Sequence, residues 1–491
     1  MRLFRCVALL VLGVAFVRPA SSEVIHESWD IVLLNGSRVG YNHSVISKVA
    51  IEGKETLVTE TLGHLALKRA GQELVTNLHI HSVDTPDGQI LKFTSTLSNP
   101  PSSEVVVSGR SDGTSLLVEV LAAGQSIRKT IPGVDRLKSQ AYVDHYILEG
   151  KLVVDATAEF EVFDPQLAKV VTIKLTRQPP QKTTLWNDEE RVLDQILLTN
   201  SGIPGAVTRI AYDSKTGQSL KTSVDLIGMQ TFAVSKEEAL REFDLYDQLV
   251  DTMIPLKTQA SLTDAAEVAY RVVVDGEIEA TMFPAGPFQK VERKSDSDLL
   301  VTVRRALIPE GGADSSSPEP GAEFLSPSRF IECDDHLIVE LAAKATEGAD
   351  EAEQKVFALE RFVRSHVNNR NLQTAMATAL EVAKTQAGDC TEHAVLLAAL
   401  LRAEKIPSRV AMGVVHVPSQ GAFIGHMWTE AWVNGQWMPL DGTRARRGTT
   451  CEYIKLSDSA LAGDGAVPGA EFLPLAYLFG RTKIELVKVT Q

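Results

Sequence analysis

Residues 388–402 read GDCTEHAVLLAALLR, in which a glycine and an acidic residue precede a cysteine and a long apolar run follows it. Gly388 permits a sharp backbone turn, and residues 389–391 can then open a helix. The body of this helix, residues 394–401, is apolar on every side, which indicates a buried helix. Cys390 is therefore predicted at a helix N-terminus, where free N–H groups and the helix dipole favour a thiolate. A lone cysteine is more often a small buried hydrophobe, but the polar residues beside this one favour an accessible thiol.

A second stretch, GHMWTEAWVNGQWMPLDGT at 425–443, supplies the other reactive side chains. Its Asn434-Gly435 dipeptide predicts a two-residue type I′ hairpin, which fixes the register of the two flanking strands. In that register His426 and Asp441 lie on one face of the hairpin as diagonal neighbours, about 7 to 8 Å apart at Cα. This separation brings a carboxylate within reach of an imidazole.

A thiol, an imidazole and a carboxylate in this order predict a catalytic triad. Cys390 is the candidate nucleophile, His426 the base that takes its proton, and Asp441 the group that fixes the imidazole. His393, one helical turn after the cysteine, is a competing histidine, whereas the valines on both sides of His416 indicate an ordinary sheet residue. No paired-ligand spacing supports a zinc site among these residues, so we predict neither a metal nor a cofactor.

The composition of the chain limits its partners. It has 491 residues, 44% of them hydrophobic, and a formal net charge of −14. This length predicts two or three domains, and the acidic balance gives no electrostatic reason to bind nucleic acid or an anionic membrane. No glycine-rich phosphate loop, zinc-spaced CxxC pair or HExxH motif occurs in the sequence.

Residues 1–22 have the pattern of a secretory signal peptide. Arg2 and Arg5 form a basic start, residues 6–17 an apolar run of 12 residues, and residues 20–22 a small-residue cleavage site. An uncleaved anchor is the alternative, but the run is too short to span a bilayer comfortably. We therefore expect an exported protein, periplasmic or extracellular, with no stable membrane insertion after signal cleavage.

Export bears on the cysteines, because an oxidising compartment permits disulfides. Cys6 lies in the predicted signal, and Cys390 is the candidate free thiol. Cys333 and Cys451 are then the remaining pair. A bridge between them would close a long loop and stabilise the fold by about 4 to 5 kcal/mol in the chain-entropy model. The sequence leaves open whether this bridge forms.

The motifs resemble those of the transglutaminase-like superfamily, cysteine enzymes of papain-like architecture. The resemblance rests on the two stretches above, on IPSRVAMGV at 406–414 and on the helices predicted before them, and covers about residues 334–457. It is closer to exported bacterial members with β-rich N-terminal extensions than to the animal cross-linking enzymes. No tryptophan shortly precedes Cys390, so the second oxyanion donor is unassigned and hydrolysis is favoured over cross-linking.

This resemblance implies that Cys390 attacks an amide carbonyl of a protein or peptide, forms a thioester and passes the acyl group to water or an amine. The predicted function is an exported thiol-dependent protease or amidase. The alternative hypothesis is a non-catalytic envelope-binding or scaffold protein that uses its β-rich N-terminal domains.

The predicted fold class is α+β with several domains. Alternating apolar runs separated by turns predict antiparallel β structure before the Gly/Ser/Pro-rich stretch near residue 311, and apolar residues at helical spacing follow it. In the papain-like core, the resemblance implies a cysteine at a helix N-terminus packed on an antiparallel sheet. The predicted segments are a signal peptide (1–22), a β-rich N-terminal domain (23–240), a smaller β-rich domain (245–310), a linker (311–328), a transglutaminase-like catalytic domain (329–460) and a C-terminal strand or extension (461–491).

Overall fold

The structure is a computed structural model of the chain. It describes residues 22–491 except 70, 101–103, 123, 204, 248–251, 277, 279–281, 307–318, 371–375, 464–477 and 479. The predicted signal peptide, apart from its last residue, and the first part of the predicted linker lie outside the described residues. Within the described part, none of the helices combines the length and the apolar character needed to cross a bilayer.

The N-terminal part of the described chain is a single long sheet with two short helices. The strands are β1 (Ser22–Leu34), β2 (Ser37–Ile51), β3 (Lys54–Arg69), β4 (Gln72–Asp84), β5 (Ile90–Ser98), β6 (Val105–Ser111), β7 (Ser115–Ala122), β8 (Gln125–Pro132), β9 (Leu137–Lys138), β10 (Thr157–Asp164), β11 (Lys169–Thr184), β12 (Glu190–Asn200), β13 (Val207–Tyr212), β14 (Ser219–Val224) and β15 (Met229–Val234). The helices are α1 (Gln140–Leu148) and α2 (Lys236–Ala239). The strand order runs from β8 to β1 and then from β15 to β9, so the sheet is the meander that the turn signals predict.

Much of the apolar face of this sheet is covered by other strands of the same sheet. The inner faces of β5 to β8 pack against residues of β10 and the turn after it, and the rings of Phe93 and Phe163 lie 5.4 Å apart. Helix α1 covers another part of the same face, where Tyr146 meets Phe160 edge to face. The apolar residues of one strand group are thus buried by another group of the same sheet.

The rest of the described chain forms two larger sheets, a two-stranded parallel sheet and a group of helices. The strands are β16 (Ile254–Pro255), β17 (Glu267–Val274), β18 (Gln289–Ser295), β19 (Asp298–Arg304), the short parallel pair β20 (Asn369–Arg370) and β21 (Ala387–Gly388), β22 (Ser408–Val417), β23 (Ala422–Val433), β24 (Gln436–Leu440), β25 (Tyr453–Ser459) and β26 (Thr482–Thr490). The helices are α3 (His336–Ala345), α4 (Ala352–His366), α5 (Ala379–Thr385) and α6 (Cys390–Ala403), and short 3₁₀ turns occur at Asp225–Ile227 and Ala322–Phe324.

The helices pack on one face of the antiparallel sheet β16-β23-β22-β25, to which β24 is added beside β23. Its residues Met427 and Ala431 share a core with the apolar body of α6. The coarse prediction of a β-rich N-terminal region followed by an α+β core is confirmed.

The third sheet, β18-β19-β17-β26, packs against another part of the site's sheet, around Val414 and Phe423. Tyr270 on β17 meets Phe423 edge to face, with ring centroids 5.5 Å apart, and its hydroxyl donates to Cys451 O over 2.6 Å. Residues 267–304 are therefore joined both to the C-terminal strand and to the sheet of the candidate site. The predicted domain boundaries themselves stay a prediction.

The disulfide considered between Cys333 and Cys451 is wrong for this structure, in which both are free thiols. Cys333 belongs to the helical core and lies near Leu325 O, whereas Cys451 lies in the core between two sheets and near Ala265 O. The two cysteines are buried in separate hydrophobic clusters, so their sulfur atoms are not placed to form a bond.

Candidate active site

The β23–β24 hairpin has the register that its turn predicts. Asn434 and Gly435 have φ values of 53° and 77°, as a type I′ turn requires. The ladder runs from Val433 paired with Gln436 to Thr429 paired with Leu440. The predicted register is thus confirmed up to the residue before Asp441.

The ladder ends at Leu440. Asp441 then lies at a position whose N–H points away from β23, and this N–H donates to Glu360 Oε1 on α4 over 2.8 Å. On the same edge β16 pairs with β23 at Phe423. Residues 424–428 therefore face no strand on this side among the described elements, and His426 lies in that gap.

The imidazole of His426 contacts both other residues of the predicted triad. Its Nε2 donates to Asp441 Oδ2 over 2.9 Å, and Cys390 lies close enough to act electrostatically on the imidazole. The carboxylate is 2% exposed, whereas the Cys390 residue is only partly buried. The structure thus brings the three predicted residues together, with the thiol on the accessible side and the carboxylate innermost.

Helix α6 begins at Cys390, and its first turn is tightly capped. Asp389 is the N-cap and accepts from Thr391 N over 2.8 Å, while Glu392 accepts from Asp389 N over 2.9 Å to complete a capping box. Gly388 has a φ of 156°, and a Cβ at this position would come within 2.2 Å of the Glu392 side chain. The glycine is therefore needed both for the backbone conformation and for the close approach of the cap.

The carboxylate of Asp441 accepts hydrogen bonds from three residues. Its Oδ1 accepts from Thr443 N and Oγ1, and its Oδ2 accepts from the hydroxyl of Tyr453 as well as from His426. Burial alone would raise the pKa of Asp441, but the charge of His426 and these hydrogen bonds hold it well below its usual range. The carboxylate is therefore ionised despite its burial.

The opposite shift occurs at the imidazole. Burial lowers the pKa of His426, but the charges of Asp441 and Cys390, together with the hydrogen bonds to both, outweigh burial and raise it. A raised histidine pKa favours the imidazolium form beside the thiol.

A second, neutral carboxyl group lies behind the triad. Glu360 accepts from Gly448 N as well as from Asp441 N, and it is 4% exposed. Burial and the charge of Asp441 raise its pKa to about 8, although the backbone hydrogen bonds oppose the shift. Glu360 therefore orders the loop after β24 without adding a second negative charge.

The competing histidines have structural partners. His393 Nδ1 donates to Asp389 O over 2.6 Å, and His416 Nε2 donates to Leu256 O over 2.9 Å. The interpretation of His416 as an ordinary sheet residue is confirmed. Across the described residues, no three His, Cys, Asp or Glu side chains converge on a point that could hold a metal ion.

Three residues of the site were not predicted from the sequence. Glu360 occupies the buried stripe of α4 together with Val356 and Val363, and a carboxylate at a core-facing position is a signal that could have found it. Thr443, two residues after Asp441, fits a local side-chain-to-backbone turn. Tyr453 comes from a different strand, and no local pattern indicates its contact.

Fold and site together define a class: a cysteine at a helix start, with a histidine and an aspartate from the packed antiparallel sheet, is the arrangement of a thiol-dependent enzyme. Residues 339–442 match the model of the transglutaminase-like superfamily, and this part of the chain belongs to that superfamily. The match supports a cysteine enzyme of the superfamily. No curated protein matches the chain significantly.

Solved structures show weaker likenesses. A proposed cysteine protease from Cytophaga hutchinsonii is 16% identical with a TM-score of 0.28, over 46% of this chain and 86% of its own. A β-barrel-like protein of a domain of unknown function from Brucella abortus is 11% identical with a TM-score of 0.31, over 43% and 95%. A proposed protease from Parabacteroides distasonis is 13% identical with a TM-score of 0.20, over 72% and 68%. With TM-scores this low, the likenesses carry no weight for the function.

Proposed function

We propose that the protein is an exported cysteine protease or amidase that hydrolyses amide bonds of protein or peptide substrates through Cys390, His426 and Asp441. The observation that carries the proposal is the position of His426, whose ring contacts the buried Asp441 carboxylate and the partly exposed Cys390 thiol. This arrangement gives a nucleophile, a proton carrier and an orienting group.

The reaction has two steps. In the first, the Cys390 thiolate attacks the amide carbonyl carbon, a C–S bond forms, the C–N bond breaks, and the His426 imidazolium gives its proton to the leaving amine. In the second, His426 takes a proton from water, which attacks the thioester. A C–O bond then forms, the C–S bond breaks, and the thiolate and imidazolium are restored. Asp441 stays ionised throughout both steps and holds the imidazole ring of His426 in its orientation.

The first turn of α6 offers one oxyanion donor. The N–H groups of Thr391 and Glu392 are taken by the Asp389 side chain, and that of His393 by Asp389 O. The N–H of Cys390, the first helical residue, has no acceptor within the helix and is the donor that we assign to the developing oxyanion.

Two further parts of the proposal rest on the sequence. Hydrolysis is favoured over transamidation because no tryptophan precedes Cys390 between residues 187 and 389. Export is favoured by the basic and apolar segments before residue 22. N-terminal sequencing of the protein isolated from its host tests export, and a chain retaining residues 1–22 in the cytoplasm would contradict it.

The reactivity of Cys390 tests the enzyme itself. Iodoacetamide should label Cys390 of the folded protein selectively near pH 7, and peptide amides found by substrate profiling should be hydrolysed by the wild type but not by Cys390→Ala. Labelling that proceeds only as fast as the protein unfolds would instead favour a non-catalytic binding protein. Hydrolysis retained by Cys390→Ala would exclude the proposed mechanism.

A further inference from the structure

The tip of the β3–β4 hairpin reaches from the N-terminal sheet to the start of helix α6. Arg69, the last residue of β3, donates from Nη1 to Asp389 Oδ2 over 2.9 Å. The side chains of Arg69 and Asp389 are 24% and 8% exposed, so the ion pair is largely shielded from water. The partners are 320 residues apart in sequence. The contact therefore joins two distant parts of the chain directly beside the candidate nucleophile.

Hydrogen bonds on both sides of Arg69 hold the hairpin in this position. Lys68 N donates to Tyr246 O over 2.7 Å, and Gly71 N donates to Asp247 Oδ2 over 2.8 Å. Residues 246 and 247 lie a few residues before β16, which pairs with β23 of the candidate site. The tip is thus anchored on both sides of Arg69 to the segment that leads into the sheet carrying His426.

Charged or titratable groups of three elements lie at the start of α6 or act on Cys390. They are Asp389, Glu392 and His393 of α6 with its N-cap, His426 of β23, and Arg69 of the hairpin. Burial and the charge of Asp389 raise the pKa of Glu392 to about 8, so this side chain is neutral at pH 7. Both oxygens of Asp389 accept hydrogen bonds, as expected of a carboxylate.

An acidic N-cap directly before the nucleophile has opposing effects. It satisfies the N–H groups at the helix start, but its negative charge repels a neighbouring thiolate. A guanidinium in contact with the carboxylate offsets most of this repulsion, because the thiolate then meets an ion pair of no net charge. Asp389 is partnered in this way by Arg69.

We propose that Arg69 is a positioning residue of the catalytic centre, which holds Asp389 at the N-cap and compensates its charge so that the Cys390 thiolate is stabilised. This inference rests on the proposed role of Cys390 as nucleophile. Arg69 acts through Asp389 and does not touch the reacting atoms. The N-terminal sheet is then a component of the active centre, since the thiol reaches full reactivity only with the hairpin tip in place.

The rate of iodoacetamide alkylation of Cys390, measured against pH in the full mature chain, tests the proposal. Cys333 and Cys451 are 6% and 0% exposed, and Cys390→Ala gives their background labelling. Arg69→Met keeps the apolar stem of the side chain but removes its charge. We expect alkylation at pH 7 to fall about fivefold to tenfold and the pH profile to move upward by about one unit. Arg69→Lys should restore most of the rate.

Two further variants separate this role from a structural one. Arg191→Met is the matched control, because Arg191 forms a 2.8 Å ion pair with Asp213 inside the N-terminal sheet, and its profile should equal that of the wild type. Asp389→Asn retains a good N-cap but removes the carboxylate. In this background Arg69→Met should cause no further slowing. Thermal unfolding midpoints establish that each variant is folded.

Equal pH profiles for the wild type and Arg69→Met would overturn the inference and leave the proposed function standing. The inference would also be overturned if Arg69→Met slowed alkylation as much in the Asp389→Asn background as in the wild type, because the effect would then not depend on the Asp389 carboxylate. A wild-type Cys390 no more reactive than an exposed model thiol would refute the proposed function instead. If Arg69→Met does not fold, Arg69→Gln, which keeps a hydrogen-bond donor but carries no charge, takes its place in the same comparisons.

Discussion

At the scale of single residues, the candidate site depends on how one buried carboxylate keeps its charge. Asp441 accepts hydrogen bonds at both oxygens, from His426 and Tyr453 on one side and from Thr443 on the other. A carboxylate satisfied in this way stays ionised where burial alone would protonate it. Its charge then raises the pKa of His426 and favours the imidazolium that faces the thiol.

Substitutions at Asp441 and at Tyr453 should therefore both slow the alkylation of Cys390, and the substitution at Asp441 should slow it more. Asp441→Asn removes the charge, and we expect alkylation of Cys390 at pH 7 to slow at least tenfold. Tyr453→Phe removes one hydrogen bond to the carboxylate, worth about 1.5 kcal/mol, and should slow it about threefold to tenfold. Tyr212→Phe, buried in the N-terminal sheet, is the control. Wild-type rates in both site variants would show that the carboxylate does not act on the thiol.

Glu360 should make the stability of the protein depend on pH. Its pKa of about 8 in the folded protein lies above its value of about 4.3 in an unfolded chain, so folding takes up a proton between these values. The stabilisation that Glu360 contributes is then fully present below about pH 4 and is lost as the pH rises towards 8. Glu360→Gln keeps the acceptor for Asp441 N and carries no charge. Between pH 5 and pH 8, the free energy of unfolding of Glu360→Gln should fall by about 2 to 4 kcal/mol less than that of the wild type.

Urea unfolding at several pH values measures this difference. Glu392 has a similarly raised pKa and retains its own pH dependence in both proteins. Glu340→Gln, at an exposed position on α3, is the control and should follow the wild type. Parallel pH curves for Glu360→Gln and the wild type would mean that Glu360 is ionised in the fold.

At this scale the sequence predicts the residues whose relation is local. His426 and Asp441 belong to one hairpin, so the turn alone relates them. Tyr453, Glu360 and Arg69 reach the site from a strand, a helix and a hairpin elsewhere in the chain. Their contacts depend on tertiary packing, which no periodicity encodes.

At the scale of secondary-structure elements, helix α6 joins the thiol to the rest of the core. Its N-terminus carries Cys390, and the guanidinium of Arg402 in its last turn is 1% exposed. Arg402 donates to Ser326 O, Ser408 O and Ala460 O at 2.7, 3.0 and 2.6 Å. One side chain thus ties the end of the helix to three separate segments.

Replacing this arginine should destabilise the core strongly. Arg402→Met fills a similar volume but leaves three carbonyl groups without their donor, of which that of Ser408 is buried. We expect a loss of about 3 kcal/mol in the free energy of unfolding. Arg361→Met, at an exposed position on α4, should change it by less than about 0.5 kcal/mol. Urea unfolding measures both. A similarly small change in Arg402→Met would mean that water satisfies the carbonyl groups.

The elements were predictable where apolar periodicity and turn residues agree. The run of residues 394–401 predicts a buried helix, and Asn434-Gly435 predicts the hairpin, because both signals are local. The contact between the helix start and the hairpin crosses from one element to another. The gap in the edge of β23 that admits it depends on where β16 and β24 end, which only the assembled sheet determines.

At the scale of the whole molecule, the third sheet pairs strands that come before and after the candidate site in the chain. Strands β17 and β19 precede the helices of the site in the chain, whereas β26 follows β25. β26 pairs along the full length of β17, from Glu267 with Thr490 to Val274 with Thr482. The sequence signals predict strands in both regions, but they contain no rule for pairing segments so far apart.

Removing β26 should weaken the core that this sheet shares with the site. Ile484 is 5% exposed, and Leu486 and Val489 pack on the same cluster, so a chain ending at Arg481 loses about 4 kcal/mol of apolar burial. It also gains an unpaired edge at β17. We expect a lower urea midpoint and faster digestion by trypsin. Adding a peptide of residues 482–491 should reverse part of both changes, and a wild-type midpoint in the truncated chain would contradict the packing described here.

The position of β26 also has a consequence for the order in which the molecule matures. A chain synthesised from its N-terminus completes β17 long before β26, so the shared core beneath β22 and β25 is finished late. Until then this core lacks the side chains that β26 supplies, among them Ile484. We therefore expect the sheet that carries His426 to reach its full stability only after the last residues of the chain have been synthesised.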